Sequence, residues 1–355
     1  MIKVLIVDDL KSARDVIRDM LAADPDIHVC GTAEKGEDAI DMVRAHHPHL
    51  IILDSYLKGT SGSDVAEAIM KVRPTPIIMV MASSDSSEDV LAKAFGSGVL
   101  EVIKKEDLYR WRTLPDVAAG FIRKIKLMSK VSNDAMRRYR EAAESRLRMS
   151  DPADRSPVDT PVNRKDGGKV IAIVSSTGGP NALFEILRAL PSHFPAPILI
   201  VQHMSPGFIH GLAEGLNHAD HIRVRVAQDN DALRPGEALL APDDAHLTVS
   251  DSHRIRLDRT PPLGGHRPAG DALLKSIGVH YGEHSLGIIL TGMGNDGAKG
   301  MAALKAAGGR TIAQDKTTSI IFGMPKTAIG LGVIDHVLPL SQIAPAMERF
   351  VRGDL

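Results

Sequence analysis

The 355-residue chain reads as an α/β protein made of two doubly wound parallel-sheet domains joined by a linker. Three observations lead there. Short apolar, β-branched runs alternate with amphipathic stretches over residues 1–125, the same alternation resumes over 169–350, and the segment between them, 126–168, lacks it.

In the first domain the strand candidates are residues 3–7, 28–32, 50–53, 77–81 and 99–103. Helical patterns start near Ser12, Gly36, Ser63, Glu88 and after Leu114. Five successive βα units imply a parallel sheet with helices on both faces, and ligands of such sheets bind at the carboxyl ends of the strands. Asp8 and Asp9 stand at the first of those ends and Asp54 at the third, with Ser83 or Ser84 after the fourth and Lys104 or Lys105 after the fifth. Three carboxylates at one edge repel unless a hard divalent cation such as Mg²⁺ lies among them. A nearby lysine offsets further negative charge, so the pattern suits an aspartate that accepts a phosphoryl group.

These residues resemble the two-component receiver family: VLIVDD carries Asp8 and Asp9, LDSYLKGTSG carries Asp54, and Gly62 falls at the family's loop glycine. The resemblance implies a flavodoxin-like domain, Asp54 as phosphoacceptor, Mg²⁺ held by Asp8, Asp9 and Asp54, and a histidine kinase as phosphodonor. Two departures stand out, Leu57-Lys58 where the family has Met-Pro and Glu106 where it has proline after the lysine. Spacing from Gly98 makes Lys105 and Ser83 the switch residues, while spacing from Pro76 moves the hydroxyl position to Met81.

The totals exclude several classes. With 43% hydrophobic and 25% charged residues and a net charge of −1, nothing builds the basic field that nucleic acid or an anionic membrane requires. The single cysteine, Cys30, permits no intramolecular disulfide and reads as an idle thiol in a reducing compartment. No run reaches the roughly 18 apolar residues of a membrane span, and Met1 leads into a charged strand rather than a signal peptide, so a cytoplasmic location is expected. Within 126–168, residues 133–149 are rich in Arg, Glu and Ala, with Met136, Tyr139, Ala143 and Leu147 at helical spacing. A proline-punctuated polar stretch follows Ser150. This reads as a solvated connector, helical first and extended later.

The second domain opens on KVIAIVSSTGGPNALFEILRAL, an apolar strand, a turn at 175–180 and a helical pattern. Such a turn suits either a phosphate cradle or the seat of a nucleophilic serine, Ser176. Strand 197–201 ends before His203. Strand 285–290 ends in TGMGNDG, which carries Asp296. Between them, 223–226, 238–241, 246–250 and 255–257 read as strands of an irregular, partly antiparallel region, before a helix near 270–282. A hydroxyl, an imidazole and a carboxylate at one edge of a parallel sheet are the groups of acyl transfer. His246 and His266 lie in loops bordering the same edge and are candidates for substrate contact. No histidine spacing makes a metal site here.

SSTGGPNAL, VQHMSPGF, APDDAHL, HRPAGDALLKSI, LTGMGNDGAKGM and AQDKTTSIIFGMPKTAI resemble, in this order, the motifs of the chemotaxis protein-glutamate methylesterase (CheB) family. The resemblance implies a Rossmann-like catalytic domain with Ser176 as nucleophile, His203 as base and acid, Asp296 as its partner, Thr177 beside the nucleophile and the Met293 N–H at the oxyanion. It also implies no cofactor in this domain, methylated chemoreceptors as substrates, glutamine deamidation as a second activity, and gating by an unphosphorylated receiver that partly covers the Ser176 edge and whose docking phosphorylation loosens. Val174-Ser175 replaces the Gly-Ala or Gly-Ser of relatives and adds bulk before the nucleophile. The alternatives are a phosphate- or nucleotide-binding regulator and a receiver-controlled adaptor without catalysis.

Overall fold

The structure, a computed structural model, describes residues 1–82, 88–110, 114–147, 168–219 and 222–355. The chain divides into two units, Met1–Arg148 and Met149–Leu355.

In the first unit the strands are β1 (Ile2–Val7), β2 (Ile27–Ala33), β3 (Leu50–Asp54), the short hairpin β4 (Tyr56–Leu57) and β5 (Thr60–Ser61), β6 (Ile77–Met81) and β7 (Glu101–Lys104). The helices are α1 (Lys11–Leu21), α2 (Gly36–His46), α3 (Gly62–Val72), α4 (Glu88–Gly96), α5 (Lys105–Tyr109), α6 (Pro115–Met128) and α7 (Asn133–Leu147). The sheet is parallel with order β2-β1-β3-β6-β7. Every residue of β3 and β6 is buried, as expected of strands covered on both faces. The order reverses between β1 and β3, which brings Asp8 and Asp54 to the switch point.

α6 runs across residue 125, and α7, drawn from sequence as the first half of the connector, packs on this unit. Met136 and Tyr139 are buried, the Tyr139 hydroxyl donates to Val99 O at 3.1 Å, and Arg140 donates to Met70 O at 2.9 Å. Hydrophobic residues at helical spacing are the same whether a helix faces solvent or a neighbour; the partner surface on α4 is what the sequence does not display. Cys30 lies within β2; burial pushes its thiol pKa up, and the thiol faces Val4 O.

The second unit holds β8 (Val170–Ser175), β9 (Ile198–Gln202), β10 (Arg223–Val226), β11 (Glu237–Leu240), β12 (His246–Val249), β13 (Ile255–Asp258), β14 (Ser285–Ile289), β15 (Arg310–Gln314) and β16 (His336–Leu338). Its helices are α8 (Gly179–Ala189), α9 (Ile209–Ala219), α10 (Gly270–Tyr281), α11 (Ala298–Ala306), α12 (Met324–Gly330) and α13 (Ile343–Arg352). Seven strands form one parallel sheet, β10-β11-β9-β8-β14-β15-β16. The region read from sequence as irregular therefore splits. β10 and β11 extend the parallel sheet, and only β12 and β13 pair as an antiparallel hairpin.

Alternation along β8 sorts the core. Ile171 and Ile173 join Leu183, Leu187, Leu212 and Phe350 of α8, α9 and α13, while Ala172 and Val174 join Leu273, Ile277, Met301 and Leu304 of α10 and α11. Three layers result, each apolar side chain contributing roughly 1.5–3 kcal/mol on burial. The chain leaves β8 for β9 on one side and returns in β14 on the other, so the switch point lies where β8 and β14 end.

Candidate active site

Ser176 is the first residue beyond β8. Its N–H bonds Thr291 O at 3.1 Å, and its carbonyl accepts the Gly179 N–H at 2.7 Å, closing the turn into α8. His203 is the first residue beyond β9. Ser175 and Gln202 are the last register partners of β8 and β9, so Ser176 and His203 each directly follow the paired ends of adjacent strands. On the other side Gly292, after β14, has room for no side chain. A Cβ there would stand 2.8 Å from Ser176 Cβ and 2.3 Å from Met324 Sδ.

Asp296 meets His203 from that loop, with Oδ2 2.8 Å from His203 Nε2 though off the ring N–H axis. The same carboxylate accepts two N–H groups from the first turn of α10, Gly270 at 2.6 Å and Asp271 at 3.1 Å. Burial alone would push the Asp296 carboxyl up; the bond from His203, its charge and the two backbone N–H groups outweigh that and hold it below the usual carboxylate range. A helix N-terminus thus stabilises the negative charge beside the imidazole. His203 Nδ1 is buried without a hydrogen-bond partner among the described residues, so it is available to a hydroxyl or a leaving group.

The Met293 N–H also has no partner among the described residues, on the loop that flanks Ser176. Thr177 is buried, its carbonyl accepting from Thr291 Oγ1 at 3.0 Å. The two loop histidines part company. His266 stacks on His203, ring centroids 4.2 Å apart and planes 11° from parallel. Burial first, then the charge on His203, holds its pKa below the ordinary imidazole value against the pull of Asp296. His246 instead is buried, accepting the Ala269 N–H at 3.1 Å and contacting Pro261 O, and braces the loop ahead of α10. A cleft of about 160 Å³ opens beside the imidazole, bordered by His203, Met204, Ile209, Asp243 and His266. The bulk of Val174 is absorbed at Gly270, where a Cβ would stand 2.3 Å from Val174 Cγ1. The residues that tie this edge together, Gln202, Thr291 and Gln314, escaped the sequence reading; polar residues ending apolar strands were the available signal.

At the other switch point Asp8, Asp9 and Asp54 offer ligand oxygens all within 4.8 Å of one another. The Lys105 ammonium stands 2.5 Å from Asp54 Oδ2 and 2.9 Å from Asp8 Oδ2; it is Lys105, at the start of α5, rather than Lys104 that reaches the carboxylates. Burial, aided by the Asp8 charge and opposed by Lys105, pushes Asp54 up to about 6. One ammonium among three carboxylates leaves the site short of positive charge, and a hard divalent cation fits that donor set. Met81 is the fully buried last residue of β6, and Ser83 lies outside the described residues.

Comparison with known proteins matches residues 171–347 to the model of the CheB methylesterase family and residues 4–109 to that of the response regulator receiver domain. The protein-glutamate methylesterase/protein-glutamine glutaminase of Pyrococcus horikoshii is 37% identical over 353 residues, 99% of this chain and 94% of the relative. The chain belongs to the CheB methylesterase family. A relative of the same name in Nitrosospira multiformis is 37% identical, covering 100% of this chain and 99% of its own. The solved CheB methylesterase catalytic domain of Thermotoga maritima is 41% identical with a TM-score of 0.50, over 51% of this chain and 98% of that one. Family membership therefore spans both units. Among the described residues no helix is long and apolar enough to cross a membrane.

Proposed function

We propose that the chain is a phosphorylation-regulated protein-glutamate methylesterase, with protein-glutamine deamidation as a second activity, working in the cytoplasm on methylated chemoreceptors. The observation that carries the catalytic reading is the His203 imidazole, held by Asp296 at the sheet's switch point with Nδ1 left open and Ser176 across the strand register. Ser176 Oγ attacks the ester carbonyl while His203 Nδ1 takes its proton. The Met293 N–H faces the oxyanion with Thr177 beside the nucleophile, and His203 returns the proton to the departing methanol. Water, deprotonated by the same nitrogen, then cleaves the acyl-enzyme, and Asp296 stabilises the imidazolium in both halves. Deamidation follows the same course with ammonia leaving.

In the first unit Asp54 accepts the phosphoryl group from a histidine kinase and Lys105 neutralises charge on it. Asp8, Asp9 and Asp54 would hold Mg²⁺, which offsets the negative charge of the transferring group. The test is methanol release from carboxyl-methylated chemoreceptor membranes, with and without a small-molecule phosphodonor. Wild type releases methanol and is stimulated, Asp54→Asn releases it without stimulation, and Ser176→Ala releases none. Methanol release by Ser176→Ala at the wild-type rate overturns the reading.

A further inference from the structure

We propose that Gln202 is a positioning residue of this reaction: its side-chain amide holds the carbonyls of Ser176 and His203 together and so sets the distance between hydroxyl and imidazole. The inference rests on the reading of Ser176 as nucleophile and His203 as base.

The strand ladder stops short of pairing these two residues with each other. The last rung of the β8–β9 ladder runs from His203 N–H to Ser175 O at 2.9 Å, and the Ser176 N–H turns the other way, to Thr291 O. Beyond the rung two carbonyls, Ser176 O and His203 O, lie side by side as acceptors with no N–H between them. A primary amide carries two donors on one nitrogen and reconciles such a pair. Gln202 Nε2 donates to Ser176 O at 2.9 Å and to His203 O at 2.8 Å.

The rest of the side chain is equally committed. Oε1 accepts the Ser175 hydroxyl at 2.6 Å, and the two carbonyls, which can only accept, fix the other end of the amide as nitrogen. Gln202 and Ser175 are both buried, 3% and 0% exposed. Gly179 makes the room, since a Cβ there would lie 2.0 Å from Gln202 Oε1. The apolar strand β9 therefore ends in a buried polar residue whose every hydrogen-bonding atom is spent on the two catalytic strand ends. A placement error of about 1 Å between reacting groups lowers a rate by about 100-fold, so a clamp here acts on kcat.

Three variants test it: Gln202→Met, close in shape but without donors; Gln202→Glu, which replaces the NH₂ by an oxygen facing two carbonyls; and Ser175→Ala, a small change that removes the hydroxyl anchoring Oε1 and seats the amide less firmly. Methanol release from methylated receptor membranes is measured per folded molecule, with folding followed by circular dichroism. The expected results are a kcat lower by about 100-fold for Gln202→Met with KM nearly unchanged, and a loss of about 5-fold for Ser175→Ala. For Gln202→Glu, activity relative to wild type falls as pH rises, because ionising the carboxyl removes its one remaining donor. Wild-type kcat per folded molecule in Gln202→Met and Ser175→Ala overturns the proposal, and so does a loss confined to melting temperature. Ser176→Ala runs alongside. If it stays active, the nucleophile assignment fails; if it is inactive while the Gln202 and Ser175 variants match wild type, only the clamp fails.

Discussion

Replacing Asp296 by asparagine separates the charge of the carboxylate from its shape. Both oxygens of Asp296 accept from N–H groups, Oδ1 from Asp271 and Oδ2 from Gly270, with His203 Nε2 also on Oδ2. An asparagine cannot satisfy that set, because its NH₂ must face at least one backbone N–H. The favoured orientation keeps oxygen toward Gly270 and His203 and sets the NH₂ against Asp271, the longer bond. One buried donor is then unsatisfied, a loss of about 1–3 kcal/mol in the stability of the second unit. The larger effect is on chemistry, since the imidazolium formed in the transition state loses its counter-charge. The expected fall in kcat lies between about 100-fold and about 10,000-fold, or about 2.7 to 5.4 kcal/mol of transition-state stabilisation. Stability and pH carry a signature of their own. The folded pKa of Asp296 lies below its unfolded value, so its contribution is present above the unfolded value and is lost as pH falls through the folded one. Wild type and Asp296→Asn therefore converge in stability in acid and separate towards neutrality. Methanol release near neutrality, and thermal melts taken from about pH 2 to about pH 8 so that they bracket the ordinary carboxylate range, measure both effects. A folded variant with kcat within about 3-fold of wild type would refute the role given to the carboxylate.

Other outcomes follow from the same geometry. In Gly292→Ala the new Cβ presses on Met324 Sδ, which can move, and on Ser176 Cβ, which is fixed by the turn. Thermal melts should show a loss of about 1–3 kcal/mol, with methanol release reduced; a wild-type rate contradicts the tight fit. His266 has a folded pKa below its unfolded value, so its contribution is full above the unfolded value and is lost as pH falls through the folded one. Urea melts of His266→Phe should lack the part of the wild-type decline that sets in as pH drops below about 6.5, and identical slopes would contradict it. Tyr139→Ala removes a buried ring and its bond to Val99 O, which should lower stability by about 3 kcal/mol and speed amide exchange along α7; unchanged exchange would mean that α7 is not held by this anchor.

Much of this was legible in the sequence. Parallel strands announce themselves as continuous β-branched runs, and ligand chemistry collects at their carboxyl ends, so Asp8, Asp54, Ser176 and His203 stand out by position alone. Less visible was whatever depends on a partner surface. α13 is amphipathic, yet nothing in its sequence says that Ile343, Met347 and Phe350 close the layer containing Ile171 and Ile173. β10 and β11 are too short to reveal that they join the parallel sheet. The seat of Asp296 on the first turn of α10 links residues 25 and 26 positions apart, and such a pairing exists only after folding. His246 and His266 looked alike in sequence; one braces a loop and the other stacks on the imidazole.

A covalent acyl-enzyme on Ser176, formed with help from His203, is the central step of the proposed mechanism. The most direct measurement is labelling by an organophosphorus reagent, followed by mass spectrometry of the intact chain and its peptides. The account predicts a single adduct on the peptide bearing Ser176, formed with loss of methanol release and slowed strongly in His203→Ala. An adduct on another residue, or full methanol release from protein labelled at Ser176, would contradict it.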